Sequence, residues 1–514
     1  MLYASAALGG ILLAASMPPA GTPFLVWFAF VPVLAAVRSV RGALLRAAMV
    51  GAVFGTCFSA VAFAWIEITL ERFAEAAPTV AVGGAVLFMF WTGAMFAAWT
   101  SLIALGPRRG GPALAWTLLS SVGVFHAWPN LFPFTPIAGI SEAPQWLQLA
   151  SVGGIPLVEC VVITVAYALV LVFESKHTRY LWAGVAALVF SGNAVFGHCR
   201  LALLDAEAAS WPRMRVGVVQ PNFAHGARAS VRRLTVLQDA SADLEASGAE
   251  LVVWPEAGAY PFTLPRPLVA DPAGYRRVLA RHRLPTLFGV KTRDARSNAE
   301  FNSLILLNRD GQVIGHFDKT RLVPLGENAT WLDPAWVQSW LPAASQTTPG
   351  LGPVGLPLPY GDDQQAVIGP FICYEDLLSD FGRAVASVPG GVNLFVSVAN
   401  DAWFGGGRGP EGHAALARFR AVEHGVPMVR AVASGPSEVL DAGGRVIAGL
   451  DAHDVLPERP RPAETLLAEV ALCSDGTRDP TWFARLGWLL GPLCTLSVVV
   501  GAVVFGLGRC RRRN

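Results

Sequence analysis

Long apolar runs separated by short polar links fill the first 197 residues of the chain. Seven of them, at 4–20, 22–37, 47–66, 79–105, 112–128, 153–173 and 180–197, approach the ~20 residues that an α-helix needs to cross a bilayer. An eighth run lies at 486–507. The pattern predicts a polytopic α-helical membrane domain over 1–197 and a last transmembrane helix with a basic tail over 486–514. The first run lacks a basic start and a small-residue cleavage site leading into a soluble domain, so it reads as a retained helix and not a cleaved signal.

Between these blocks, 198–485 changes character. Short β-rich apolar runs recur at 215–220, 250–254, 285–290, 303–307, 366–369 and 392–398, with helical stretches expected at 230–247, 272–282 and 411–425. Asp310-Gly311 between two such runs predicts a hairpin. The alternation reads as an α/β domain, with the proline-rich stretch 455–463 as a linker toward the last helix.

Composition agrees with a membrane protein. The chain is 53% hydrophobic and 15% charged, against about 25% charged residues in ordinary domains. A net charge of +2 argues against nucleic acid as a partner. The placement of basic residues says more than their sum. With the N-terminus in the cytoplasm, the cytoplasmic links hold Arg38, Arg41 and Arg46, then Arg108 and Arg109, then Lys176 and Arg179, and the tail adds Arg509, Arg511, Arg512 and Arg513. The opposite links have only Arg72, beside Glu67, Glu71 and Glu75. By the positive-inside rule, 198–485 lies outside the cytoplasm.

Seven cysteines are present and no two have the CxxC spacing of a zinc or thioredoxin-like site. Cys57, Cys160, Cys494 and Cys510 sit in or beside apolar segments, where a buried thiol is ordinary. Cys199 and Cys473 flank the soluble region, and their pairing is open. His126, His282, His316, His413 and His424 lack metal-ligand spacing and read as structural or surface residues, so neither a metal nor another cofactor is expected.

Three segments carry candidate chemistry. Val253-Trp254-Pro255-Glu256 puts a carboxylate just past an apolar strand, where α/β active sites gather. Phe317 to Glu327 sets Lys319 and Glu327 across an apolar strip ended by Pro324 and Gly326. Phe371-Ile372-Cys373-Tyr374-Glu375-Asp376 sets a thiol at the end of another strand-like run. Singly, each has an ordinary reading: a turn carboxylate, a solvated lysine, a structural cysteine.

Together, in the order Glu256, Lys319, Cys373, the segments resemble the nitrilase superfamily, which implies a Glu–Lys–Cys triad on an αββα sandwich. Set between seven apolar runs and an eighth, the domain resembles more narrowly the apolipoprotein N-acyltransferase family. Trp254-Pro-Glu256, the strip Lys319–Glu327, Cys373-Tyr374-Glu375, Asn400-Asp-Ala-Trp-Phe-Gly405 with His413, Arg418, Arg420 and Glu423, and the stretches 133–141 and 147–154 all carry that likeness. It departs at Arg321, Leu325, Asn328-Ala-Thr330 and Ala431-Val-Ala-Ser434-Gly435. The departures surround the expected lipid pocket and lid and bear on substrate preference.

The resemblance implies an acyltransferase in the bacterial inner membrane, its catalytic domain facing the periplasm. Glu256 is the expected general base, Cys373 the nucleophile that forms a thioester, and Lys319 the oxyanion donor, aided by the Tyr374 N–H. Glu327 and Glu375 are expected to hold Lys319 or orient Glu256, and Trp403 and Phe404 to line the lipid pocket. The implied donor is a phospholipid, phosphatidylethanolamine being the usual one, and the acceptor is the α-amine of a diacylglyceryl-cysteine apolipoprotein. A monomer is expected. Two other readings stay open: a membrane-anchored amidase using the same triad on a C–N bond, and a non-catalytic scaffold.

Overall fold

The computed structural model describes the chain except Arg41, Phe73, 225–229, 330–331, 361–363, 457–458, 460, 474–478 and 512–514, and the side chains of 508–511. Arg41, Thr330, Arg512 and Arg513, drawn on above, thus lie outside the described residues. The chain forms two compact units, one of Met1–Ala64, Val82–Ala202 and Pro480–Asn514, the other of Trp65–Ala81 and Leu203–Asp479.

Each expected apolar run is helical: Leu2–Ser16, Val26–Ser39, Leu44–Ala62, Pro78–Leu105, Gly110–Ala127, Ala150–Glu174, Arg179–Ala208 and Leu490–Arg511. Among the described residues, five helices are long and apolar enough to cross a membrane: Leu44–Ala62, Pro78–Leu105, Ala150–Glu174, Arg179–Ala208 and Gly487–Leu507. Leu2–Ser16 and Pro23–Ser39 are shorter apolar helices. Small residues let the helices approach closely. A Cβ on Gly51 would lie 2.1 Å from the Phe96 carbonyl oxygen, and one on Gly10 2.3 Å from that of Phe54. The helix expected at 180–197 runs on to Ala208, because 198–208 is rich in Leu and Ala, which favour helix without needing an apolar surround.

The second unit holds thirteen strands among its described residues. They are β1 (Arg213–Gln220), β2 (Leu251–Val253), β3 (Leu264–Arg266), β4 (Thr286–Asp294), β5 (Glu300–Leu307), β6 (Val313–Asp318), β7 (Leu356–Tyr360), β8 (Gln364–Ile372), β9 (Leu394–Ala399), β10 (Met428–Val432), β11 (Ser437–Leu440), β12 (Val446–Leu450) and β13 (Glu464–Ala471). One sheet has the order β13-β1-β2-β4-β5-β6, with β3 beside β4, and the other has β12-β11-β10-β9-β8-β7. Val216, Val218, Leu304 and Phe317 of the first pack with Ile368, Phe371, Val396 and Val429 of the second in one buried cluster. The helix Val231–Ala246 covers the first sheet through Leu234, Leu237 and Leu244. Ser379–Ala386 and Arg408–His424 cover the second through Phe381, Val385, Ala417 and Ala421. The result is the αββα sandwich that the resemblance implies.

Three expectations are corrected. The stretch 272–282 holds only a single 3-10 turn, Gly274–Arg276. Asp271 accepts the main-chain N–H groups of Val278 and Leu279 at 2.7 and 3.0 Å, and such side-chain caps compete with helix. The stretch 455–463 leads not to the last helix but into β13, which pairs antiparallel with β1 from Arg213↔Ala471 to Gln220↔Glu464. The helix expected through residue 66 ends at Ala62, and Trp65–Arg72 is a separate helix that packs as part of the second unit.

Candidate active site

Strand direction gathers the candidate residues at one edge. β2 and β4 run parallel, β5 reverses and β6 reverses again, so β2, β4 and β6 end on the same side. Glu256 follows β2, Lys319 follows β6, and Asn302 enters the same edge near the start of β5. Glu256 crosses β4 at Gly289 only because that residue is glycine, where a Cβ would lie 2.5 Å from Pro255 O and 2.6 Å from Glu256 Cα. Cys373 follows β8 in the facing sheet and begins the short helix Cys373–Leu377. Its φ is +54°, a left-handed conformation that a non-glycine residue holds only under constraint.

Glu375 supplies that constraint. Its Oε2 accepts the N–H of Ile372 at 2.8 Å, and its Oε1 accepts those of Thr320 and Arg321 at 2.7 and 3.0 Å. One buried carboxylate therefore ties the turn carrying Cys373 to the segment carrying Lys319. It holds main chain, whereas the sequence suggested that it would grip Lys319 or Glu256. Burial pushes the Glu375 carboxyl up to about 8, opposed by the three main-chain donors.

Lys319 is 1% exposed. Its Nζ donates to Glu327 Oε1 at 2.8 Å and to Glu256 Oε1 at 3.4 Å. Glu327 Oε2 accepts the N–H of Val323 at 2.8 Å. Burial opposes the ammonium charge, but Glu327 and Glu256 outweigh it and hold the Lys319 pKa well above its usual value. Cys373 lies within electrostatic reach of Glu256, Lys319, Glu327 and Asp401. Burial and the Glu256 charge push its thiol up, with Lys319 opposing. The resting thiol is therefore protonated and, to act as a nucleophile, would need a base. Glu256 is 4% exposed, and burial raises its pKa against the pull of Lys319, which suits a carboxylate to that role.

One residue and one network of contacts here were not read from the sequence. Asn302 Nδ2 donates to Glu256 Oε1 at 2.8 Å. An asparagine inside a strand-like run has no local signature. Behind the Cys373 turn, His413 lies between Asp376 and Asp401, with 2.8 Å to each, and Arg430 reaches Asp376 at 3.3 Å. Ser397 also donates to Asp376 at 2.7 Å. His413 is thus structural, as its spacing suggested. Burial works against its charge, but Asp401 and Asp376 win and lift it to about 10.

Tyr374 is buried beside Cys373. Trp403 and Phe404 lie in the 3-10 turn Asp401–Phe404 after β9. That turn approaches the Glu256 segment, since a Cβ on Gly258 would lie 3.9 Å from Asn400 Nδ2. Phe404 is 9% exposed, packed edge-on against Trp65 with centroids 4.9 Å apart. Of the divergent positions, Arg321 pairs with Asp380 at 3.1 Å, and Leu325 takes φ +67° in a turn closed by its N–H to Asn328 O at 2.9 Å. Ser434 O accepts the N–H of His453 at 2.8 Å. Cys199 is exposed, whereas Cys473 is buried with its thiol donating to Gly425 O at 3.6 Å.

The carbon-nitrogen hydrolase family model matches residues 215–455, and the apolipoprotein N-acyltransferase N-terminal domain model matches 9–168. The chain is 31% identical to the apolipoprotein N-acyltransferase of Sinorhizobium medicae over 483 residues, 86% of each protein. It is 30% identical to that of Gloeobacter violaceus over 525 residues, 98% of this chain and 95% of that protein. Among solved structures it is similar to Saccharomyces cerevisiae Nit3 of the nitrilase superfamily, at 18% identity and a TM-score of 0.36 over 50% of this chain and 89% of that one. With relatives matched along nearly its whole length and a distinct model on each part, this multi-pass membrane protein belongs to the apolipoprotein N-acyltransferase family.

Proposed function

We propose that the protein moves an acyl chain from a phospholipid to the N-terminal α-amine of a diacylglyceryl-cysteine apolipoprotein, through a thioester on Cys373. The observation that carries this reading is Lys319, buried and charged, held by Glu327 and Glu256 beside a protonated thiol.

In the first half-reaction Glu256 takes the thiol proton as sulfur attacks the ester carbonyl. Lys319 stabilises the oxyanion, with the Tyr374 main-chain N–H as a second donor, and losing one such donor costs about 10²–10³ in turnover. The ester C–O bond breaks, and Glu256 returns the proton to the departing lysophospholipid hydroxyl. In the second half-reaction the lipoprotein amine attacks the thioester. Glu256 accepts the amine proton and delivers it to the leaving thiolate. No step calls for a metal or redox group. Family membership and the skew of basic residues to one set of links support a site on the periplasmic side of the inner membrane. Anchoring there fits lipid substrates, because each CH₂ drawn from the bilayer costs about 0.8 kcal/mol. Phosphatidylethanolamine is the donor we propose.

The test uses full-length protein in detergent with alkyne-labelled phosphatidylethanolamine, beside Cys373→Ala and Lys319→Ala. The wild type should take a label that hydroxylamine releases, and Cys373→Ala should take none. A diacylglyceryl-cysteine peptide should then receive the label. Label appearing as free fatty acid despite the peptide would instead make the protein a hydrolase. No label from a range of phospholipids would overturn the acyl-donor assignment.

A further inference from the structure

The link 65–81 between two apolar helices is built into the catalytic unit, and its contacts converge on one loop. Phe404 is held edge-on between Trp65, 4.9 Å away, and His413, 6.2 Å away. Asp401, at the start of the same turn, is pinned by His413 at 2.8 Å. Past Phe404 the chain turns through Gly405, Gly406 and Gly407, with φ of +71°, +80° and +69°. This triple-glycine turn is enclosed on two sides. A Cβ on Gly405 would lie 2.8 Å from Ile68 Cγ2 and 3.1 Å from Arg72 Nη1. A Cβ on Gly406 would lie 3.1 Å from Asp454 N and 3.2 Å from Asp454 Cβ. Arg72 Nη1 then joins Asp454 Oδ1 at 2.6 Å, so two consecutive glycines each touch one member of an ion pair. The link also reaches the loop after Glu327, where Ala74 O accepts the N–H of Ala343 at 3.3 Å.

We propose that Trp65, Arg72 and Asp454 form a clasp that fixes the Trp403–Phe404 turn and thereby sets affinity for the acyl chains of the lipid substrates. They are positioning residues and touch no reacting atom. A run of three glycines at positive φ is intrinsically mobile, because glycine populates both halves of φ space. Without the clasp, the aromatic turn would sample positions that do not line the pocket, and binding would fall by the competent fraction. Cys373 is held by Glu375, and His413 fixes the Asp401 end of the turn to Asp376, so the clasp should act at the Phe404 end, on substrate affinity, and leave the nucleophile unchanged. This inference rests on the reading of Trp403 and Phe404 as substrate-lining residues.

The test uses full-length protein in detergent, with Arg72→Gln, Asp454→Asn, Trp65→Ala, Trp65→Phe and the charge swap Arg72→Asp/Asp454→Arg. Three quantities are read: acylation rate against phospholipid concentration, alkylation of Cys373 by iodoacetamide, and amide hydrogen exchange at 403–408. Arg72→Gln, Asp454→Asn and Trp65→Ala should raise the half-saturating concentration roughly threefold to tenfold. Maximal rate and alkylation should change less than about twofold, and exchange at 403–408 should quicken. Trp65→Phe and the swap should restore most of the affinity. Unchanged half-saturation in both Arg72→Gln and Trp65→Ala would overturn the proposal. So would a fall in maximal rate matched by slower alkylation, which would mean general damage. If the wild type takes no acyl label, the transfer function fails by itself. Exchange then judges the clasp: faster exchange in Arg72→Gln upholds it, and unchanged exchange overturns it.

Discussion

Asn302 donates to Oε1 of Glu256 at 2.8 Å, while Oε2 of the same carboxylate is buried with no hydrogen-bond partner among the described residues. Oε1 is also the atom that faces Lys319. The carboxylate is thus held by one oxygen and leaves the other to receive a proton, so Asn302 sets both its orientation and its basicity. Replacing Asn302 with Leu removes a donor that lowers the Glu256 pKa. With Glu256 as the proposed base, activity requires it ionised, so the rate should fall as pH drops through that pKa. We expect the acid limb of acylation to move to higher pH and the rate near neutrality to fall by roughly 10- to 100-fold. A pH–rate profile checks this, and an unmoved limb would count against the assignment of Glu256 as base.

Glu375→Gln keeps the side chain's shape but turns an amide NH₂ toward main-chain donors. One or two of the N–H groups of Ile372, Thr320 and Arg321 then lose their acceptor. The expected loss of stability is on the order of 3 kcal/mol. Cys373 should also relax from its φ of +54°, a conformation that costs about 1–3 kcal/mol to maintain. A lower unfolding midpoint together with an altered rate of Cys373 alkylation is the expected outcome; a lower midpoint alone would mean that Glu375 does not hold the nucleophile.

Gly289→Ala tests the crossing of Glu256 over β4. Its Cβ would sit 2.5 Å from Pro255 O and 2.6 Å from Glu256 Cα, contacts that only a backbone shift relieves. Overpacking of this kind costs about 1–3 kcal/mol, and a shift of about 1 Å at a catalytic group can cost about 10²-fold in rate. Acylation should therefore fall about 10²-fold in protein that still folds, as read by its elution volume and unfolding midpoint. Near-normal acylation would show that the Glu256 segment is more compliant than its packing suggests.

His413 makes stability depend on pH. Its folded pKa of about 10 exceeds the ordinary 6.5 because Asp401 and Asp376 surround it. The unfolded chain releases this proton first as pH rises. Stability from the imidazolium is therefore full below about 6.5 and lost as pH climbs through about 10. Asp376, lowered to about 2 by His413 and Arg430 against burial, contributes above its ordinary 3.8 and is lost only in strong acid. The unfolding midpoint of the wild type should fall between about pH 7 and 10, and His413→Gln should flatten that slope while lowering the midpoint at pH 6. Parallel curves would remove His413 as the source.

Much of this protein was legible in its sequence, for identifiable reasons. Transmembrane helices satisfy their own backbone hydrogen bonds and need only apolar length, so every apolar run appears as a helix in the structure. Six strands were found because both faces are buried, which writes an uninterrupted apolar run, and β6 was found from the Asp310-Gly311 hairpin. The strands that were not found are those whose stability comes from a neighbour. β7 carries Pro357 and Pro359, tolerated because it lies at a sheet edge with Leu356 and Leu358 turned into the core. β10 contains Arg430, a charge that looks wrong for a buried strand until Asp376 is seen beside it.

The sequence by itself determined the apolar helices, the α/β character of the second unit and the three segments carrying Glu256, Lys319 and Cys373, since each depends on residues adjacent along the chain. The tertiary structure alone decided that Asn302 orients Glu256, that Glu375 ties two main-chain segments together, and that Arg72 meets Asp454 across the glycine turn. These pairs are 46, 55 and 382 positions apart for Asn302–Glu256, Glu375–Thr320 and Arg72–Asp454. Hydrogen bonds and ion pairs act over about 3 Å. Which partners meet at that range is fixed by strand order and packing, and no local periodicity in the chain records it.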